Sequence, residues 1–310
     1  MIHTKKNMPL SHYTSCAIGG PADYFIEASG PIEIAESIEF AEREKIPYFV
    51  MGGGTNILFS DAGFRGVVIR IADQSLLVNG SVICAGSGIS LKQLVETARD
   101  QGLLGMENLA GIPGSFGGAV RGNAGAFGTE IGDLIKSVKA FNKETSMVQE
   151  LSQKQCAFAY RQSVFKKNPE LIVLSAEIEL VPGGEPKAIG RAMEKIIALR
   201  ESKHSQTAKC AGSFFMNPQV KDEKLCEEFA KDTGTASKDG KLPAGWLIDH
   251  AGLRGKQIGK AKISDQHPNY LLNTGGATAE EVIMLASLVK RKVRDELGVQ
   301  LREEVQMVGF

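Results

Sequence analysis

The sequence predicts an α+β protein. Short apolar runs that read as strands are interspersed with amphipathic helices bearing clear caps. The two do not follow the steady βαβ alternation of a doubly wound sheet. Two glycine-rich stretches, Gly52-Gly53-Gly54-Thr55-Asn56-Ile57 and Gly111-Ile112-Pro113-Gly114-Ser115-Phe116-Gly117-Gly118, punctuate the pattern. At 310 residues the chain is long enough for two or three domains with a buried core.

The elements follow in order. Pro31 can open a helix whose apolar face is Ile34, Ile38 and Ala41. Residues 47–51 and 66–71 read as strands, the first ending in the glycine run. Ser90 and Gln93 form a capping-box pattern ahead of Leu91, Leu94, Val95 and Ala98, with Gly102 as the stop. Residues 171–180 read as a strand and 187–200 as a helix with Ile189, Met193, Ile196 and Ile197 inward. The polar run Glu201-Ser202-Lys203-His204-Ser205-Gln206 then marks a boundary. It divides the chain into 1–200, in two lobes of about 1–72 and 73–200, and 201–310. Thr278 and Glu281 cap a helix along Val282, Leu285, Val289, Val293 and Leu297, stopped by Gly298. Residues 299–308 read as a strand.

Composition narrows the function. Hydrophobic residues make up 43% and charged residues 23%, ordinary for a soluble protein. Lys+Arg 36 balances Asp+Glu 36, so no global basic field attracts nucleic acid. The five cysteines (Cys16, Cys84, Cys156, Cys210, Cys226) lack metal-ligand spacing and read as reduced thiols, which fits a cytoplasmic setting. The start of the sequence shows no signal-peptide core, and no run approaches the length of a membrane span. His250 and His267 lack a metal-spaced partner and read as structural or surface residues. Trp246 reads as core.

A glycine run is by itself usually a turn. This one fits neither GxGxxG nor a P-loop. Two bare loops with small polar residues, continued by Asn123-Ala124-Gly125-Ala126, suit a phosphate-bearing cofactor held by main-chain N–H groups. Together with Ile18-Gly19-Gly20-Pro21-Ala22-Asp23-Tyr24-Phe25, the two loops resemble the FAD-binding half of the UDP-N-acetylenolpyruvoylglucosamine reductase family. The resemblance runs from about residue 7 onward. It implies a two-lobed FAD-binding domain of the vanillyl-alcohol-oxidase type plus a smaller α+β substrate-binding domain, whose C-terminal strand reaches the active site. The cofactor contacts it implies are Gly52, Gly53, Gly54, Thr55, Asn56, Ile57, Pro113, Gly114, Ser115, Gly117, Gly118, Asn123, Gly125 and Ala126. Thr55 stands where some relatives carry a flavin-linking histidine, so noncovalent FAD is expected, with NADPH as reductant.

The catalytic residues are carried over in the same way. Tyr160-Arg161-Gln162-Ser163-Val164-Phe165-Lys166 resembles the family's YR-x-S-x-F-K block. It makes Arg161 the arginine that holds the enolpyruvyl carboxylate, a task suited to a fixed, permanently charged fork. Ala211-Gly212-Ser213-Phe214-Phe215-Met216-Asn217-Pro218 resembles AGSFFKNP, with Met216 replacing the lysine. It makes Ser213 the proton donor to C2 of UDP-N-acetylglucosamine enolpyruvate. The segment 301–309 resembles L-x-x-E-V-x-x-x-G and selects Glu304. Strand alternation alone groups Leu301, Glu303, Val305 and Met307 against Arg302, Glu304 and Gln306, and does not choose between the two carboxylates. Tyr160, Arg200 and Asn217 are candidate substrate contacts, with Lys203 and His204 beside Arg200. Residues 244–253 and 269–275 match two further family blocks. The short interval between Arg161 and Arg200 resembles the family's short form. The implied product is UDP-N-acetylmuramate, for peptidoglycan, made by a monomer. Two rivals remain: another oxidoreductase on the same flavin fold, which needs the loops but not Arg161, Ser213 and Glu304; and a non-catalytic nucleotide-sugar or flavin-binding module, which keeps the loops alone.

Overall fold

A computed structural model describes residues 2–203, 207–237 and 239–310. Mixed helices and strands bear out the α+β expectation. The chain forms two compact units, each assembled from separate stretches. One comprises Met1–Met8, Ala22–Gly53 and Arg65–Ser202; the other comprises Pro9–Pro21, Gly54–Phe64 and Lys203–Phe310.

Among the described residues the first unit contains two large sheets and two small two-stranded ones. A four-stranded sheet has the spatial order Thr4–Pro9, Pro21–Ala28, Phe64–Ile71, Tyr48–Met51. Its last pair is parallel, with Tyr48 opposite Val67 and Met51 opposite Arg70. Helix Pro31–Glu44 starts on Pro31 and buries Ile34, Ser37, Ile38 and Ala41, the predicted face with one hydroxyl added. Ser37 satisfies that hydroxyl by donating to the Glu33 carbonyl at 2.6 Å. The second sheet is antiparallel, in the order Met147–Ser152, Ile135–Asn142, Leu171–Glu179, Val82–Gly86, Leu76–Asn79. Its core includes Ile83, Leu94, Phe116, Val138, Phe165 and Ile178. Helix Leu91–Asp100 is capped by Ser90, whose Oγ accepts from Gln93 N at 3.1 Å. Helix Pro186–Lys203 runs past the predicted stop at Arg200, because the polar residues after Arg200 are compatible with helix and contain no glycine or proline.

The second unit packs helices Glu223–Thr233, Ala244–His250 and Ala279–Leu297 with a three-stranded antiparallel sheet, Gln257–Ile258, Ala261–Ile263 and Leu271–Asn273. The capping box at Thr278 and Glu281 is complete, and Gly298 ends the helix at φ +66°. Asp61 adds a carboxylate there, accepting from Ala279 N and Glu280 N. Such a carboxylate satisfies orphan donors and complements the helix dipole.

The segment 299–308 departs from the single predicted strand. Only Gln306–Val308 is a strand, paired in parallel with Ile57–Phe59. Just before it the chain lies along a different neighbour: Met216 N donates to Arg302 O, and Glu303 bridges Phe215. The change of partner breaks the alternation. Leu301 and Val305 are buried as expected, but Met307 is 43% exposed and Val308 is buried instead.

Candidate functional site

The two glycine loops of the first unit are tied together by one serine. Ser115 Oγ accepts from Gly53 N at 3.1 Å and from Gly118 N at 3.3 Å, and Ser115 also caps the helix Phe116–Gly122. The contact requires glycine. A Cβ on Gly53 would lie 2.8 Å from Ser115 N and 3.0 Å from Gly114 Cα, and one on Gly52 would collide with Ser115 Oγ. Gly114 itself sits at φ +116°. Gly53 and Gly118 remain exposed, so a side-chain-free backbone surface faces outward from the serine. That surface fits the pyrophosphate of FAD, which needs close main-chain approach. Gly117 and Gly125 have a different reason to be glycine: a Cβ at Gly117 would strike Ser87, and one at Gly125 would come within 2.7 Å of the Thr129 carbonyl. Ala126 lies in the same small hairpin, opposite Thr129.

Asn123 is 1% exposed and knits the neighbouring loops. Its Oδ1 accepts from Gly132 N, and its Nδ2 donates to Glu130 Oε2 and Ala159 O. Its side chain is therefore committed within the protein. Arg161 reaches the same place: its guanidinium donates to Gly125 O at 3.3 Å and Asn123 O at 3.5 Å, and lies 5.3 Å from the centre of the Tyr160 ring. Arg161 has φ +55°, an uncommon conformation for a residue with a side chain. It is held by Lys166 Nζ, which donates to Arg161 O at 2.9 Å, while the neighbouring Ser163 Oγ donates to Arg121 O. Arg121 is a half-buried guanidinium whose pKa is lowered by burial, and the sequence reading passed over it. Arg200 is partly buried, 5.5 Å from the ring centre of Phe127. His204, noted beside the candidate substrate contact Arg200, lies outside the described residues, as do Ser205 and Gln206.

In the second unit, the blocks holding Ser213 and Glu304 are adjacent. Glu304 N donates to Phe214 O at 2.8 Å, across the peptide next to Ser213. The Glu304 carbonyl accepts from Asn56 Nδ2 at 3.0 Å, and Asn56 O accepts from Gln306 N. Ile57 is buried and pairs with Gln306. Glu303 is turned to a separate task, an ion pair with Lys290 at 2.7 Å. On the other side of the Ser213 segment stands Asn269, 2% exposed. Phe214 N donates to Asn269 O at 2.8 Å, Phe215 N donates to Asn269 Oδ1 at 2.9 Å, and Asn269 Nδ2 donates to Phe215 O at 2.8 Å. Its carboxamide thus replaces a missing strand, and leaving either Phe215 group bare would cost about 1–3 kcal/mol. Periodicity could not single out Asn269 from other polar residues. Asn217, expected to touch substrate, uses its Oδ1 to accept from Ala244 N at the start of helix Ala244–His250.

The remaining titratable candidates have quieter roles. All five cysteines are free; burial raises the Cys16 and Cys210 thiols, and pushes Cys156 up to about 11. Among the described residues no group of three His, Cys, Asp or Glu side chains could hold a metal. His250 stacks on Trp246 at 4.6 Å, and Trp246 meets Phe229 edge-on at the core boundary.

Comparison with known proteins finds relatives over almost the whole chain. The FAD binding domain family matches residues 22–152, and the family described as UDP-N-acetylenolpyruvoylglucosamine reductase, C-terminal domain, matches residues 203–308. A UDP-N-acetylenolpyruvoylglucosamine reductase of Solibacter usitatus is 39% identical, covering 97% of this chain and 95% of its own. One from Syntrophus aciditrophicus is 35% identical, with 97% and 90% covered. The crystal structure of the reductase from Thermus caldophilus superposes with a TM-score of 0.78 at 30% identity, covering 100% of this chain and 99% of that one.

Proposed function

The chain belongs to the UDP-N-acetylenolpyruvoylglucosamine reductase family, and we propose that it reduces UDP-N-acetylglucosamine enolpyruvate to UDP-N-acetylmuramate, with NADPH as the electron source and noncovalently bound FAD. When bound, FAD would supply the hydride-transfer chemistry that couples NADPH to reduction of the enolpyruvyl group.

The protein supplies position, charge and a proton. Gly52, Gly53, Ser115 and Gly118 present the main-chain surface for the pyrophosphate. Arg161 holds the enolpyruvyl carboxylate and stabilises the negative charge that develops during reduction. Ser213 delivers the proton to C2. A serine hydroxyl is a weak acid, so it must be aligned with the carbon and assisted by nearby charge. Glu304 polarises the enolpyruvyl group or relays that proton. Tyr160 and Arg200 contact substrate, and Asn217 contributes through its amide nitrogen.

One observation carries the reading beyond the glycine loops. The Ser213 and Glu304 blocks, far apart in sequence, meet at the Glu304 N to Phe214 O hydrogen bond. A flavin oxidase or a passive binding module has no need of that pairing. Among the described residues no helix is long and apolar enough to cross a membrane. We place the enzyme in the cytoplasm as a monomer, serving peptidoglycan precursor synthesis.

Anaerobic half-reactions test the proposal. NADPH should bleach the flavin of the purified holoenzyme. UDP-N-acetylglucosamine enolpyruvate should then restore the absorbance with stoichiometric UDP-N-acetylmuramate. Reoxidation by oxygen but not by the enolpyruvyl sugar would favour the oxidase reading.

A further inference from the structure

We infer that Asn269 is a positioning residue for Ser213, setting the register and orientation of the segment from which the proton is delivered. This rests on the proposed role of Ser213. The Ser213 segment has a backbone partner on each side. One side is the 302–305 stretch, bonded through Met216 N to Arg302 O and through Glu304 N to Phe214 O. The other side is mostly one residue. Asn269 takes Phe214 N on its own carbonyl, and closes a two-way pair with Phe215 through Oδ1 and Nδ2. The next residue, Tyr270, bridges Ser213 itself. The carboxamide therefore fixes where Ser213 stands along its partners, and it does so from a buried position where water cannot substitute.

The same stretch holds an internal control. Asn273 is also buried, and its carboxamide also makes several backbone bonds. Its Oδ1 accepts from Gly275 N and Ala277 N, and its Nδ2 donates to Cys16 O. It is the same chemistry at a comparable depth, directed at other segments. Loss of either asparagine should loosen the second unit, but only loss of Asn269 should misplace Ser213.

The test uses FAD-loaded holoenzyme and separated half-reactions. Asn269→Ala should reduce with NADPH at the wild-type rate and reoxidise with UDP-N-acetylglucosamine enolpyruvate about 10- to 100-fold more slowly, the scale of losing alignment. Asn273→Ala should lower Tm comparably and leave both half-reactions near wild type. Ser213→Ala should slow reoxidation by about 10²-fold or more. Because Asn269 acts through Ser213, the double variant should be no slower than Ser213→Ala alone. Additive losses would overturn the inference, as would equal slowing by Asn273→Ala. A normal rate in Asn269→Ala beside a slow Ser213→Ala overturns this inference alone. A normal rate in Ser213→Ala overturns the assigned role of Ser213 first. Asn269→Asp guards against misfolding of the alanine variant. As a neutral acid it can accept from Phe215 N and donate to Phe215 O; as a carboxylate it cannot donate. Burial raises a carboxyl pKa. Its reoxidation rate relative to wild type should therefore fall as pH rises and the acid ionises. A rate no better than that of Asn269→Ala at any pH counts against the inference.

Discussion

The glycine cradle and the Ser213 junction are both held by one polar side chain, but in opposite ways. In the cradle, side chains are absent and Ser115 joins two loops through Gly53 N and Gly118 N. Its surface is main chain, so its chemistry is generic: close approach for a phosphate. At the junction, Asn269 replaces a strand so that a particular hydroxyl stands at a particular place. The first arrangement fails when something is added. The second fails when something is removed or shifted.

That contrast can be broken most severely at Gly53. Gly53→Asp puts a Cβ 2.8 Å from Ser115 N and a negative charge beside the pyrophosphate surface. The purified variant should carry no flavin by absorbance. Ser115→Ala removes both ties without adding bulk and should weaken FAD binding only about tenfold by titration, the scale of one or two hydrogen bonds. Retention of flavin in Gly53→Asp would remove the cradle from the cofactor site.

A sharper cut separates the two carboxylates at the junction. Glu304→Gln keeps the Glu304 N to Phe214 O bond and removes the charge, so enolpyruvyl reduction should fall by about 10²-fold or more with flavin content unchanged. Glu303→Gln loses the Lys290 ion pair, about 1 kcal/mol or less of stability, and should leave turnover near wild type. The reverse pattern in stopped-flow rates would shift the assignment by one residue.

The smallest effect marks the floor, in a pair that is part of neither arrangement. Arg254 makes a forked contact with both carboxylate oxygens of Asp249 and holds that carboxyl below the usual range, chiefly through the hydrogen bond. A depressed folded pKa stabilises above the unfolded value of about 3.9, and the contribution disappears as pH falls through the folded value. The side chains are 42% and 39% exposed, so the pair contributes only about 0.2–1 kcal/mol. Arg254→Leu should lower Tm slightly at neutral pH. Melts in acid, below about pH 4, should show that gap closing.

Legibility followed the same contrast. Glycine loops and capped helices are local patterns, so Gly52–Gly54, the Ser90 cap and the Thr278–Glu281 box could be read directly. The segment 299–308 could not. Its alternation suggested one strand, while the chain changes partners between Glu303 and Gln306, and partner choice is a tertiary matter. The selection of Glu304 over Glu303 rests on resemblance alone; Glu303 pairs with Lys290. Asn123 and Asn217 spend their Oδ1 atoms on Gly132 N and Ala244 N, and such bonds to the protein's own backbone are invisible in a list of residues. Asn269 was invisible for the same reason.

The parallel pairing of Ile57–Phe59 with Gln306–Val308 has a consequence for biosynthesis. Asn56 and Glu304, bonded beside that pair, are 248 residues apart. At roughly 5–20 residues per second on the ribosome, an apolar strand made early waits about 12–50 s for its partner. During that wait Leu58 and Phe59, both buried in the finished protein, have no ladder to join. The first unit can begin folding around its local antiparallel hairpins while the second is still open. A short apolar segment, immediately after the glycine run, thus stays without its strand partner for most of the chain's synthesis.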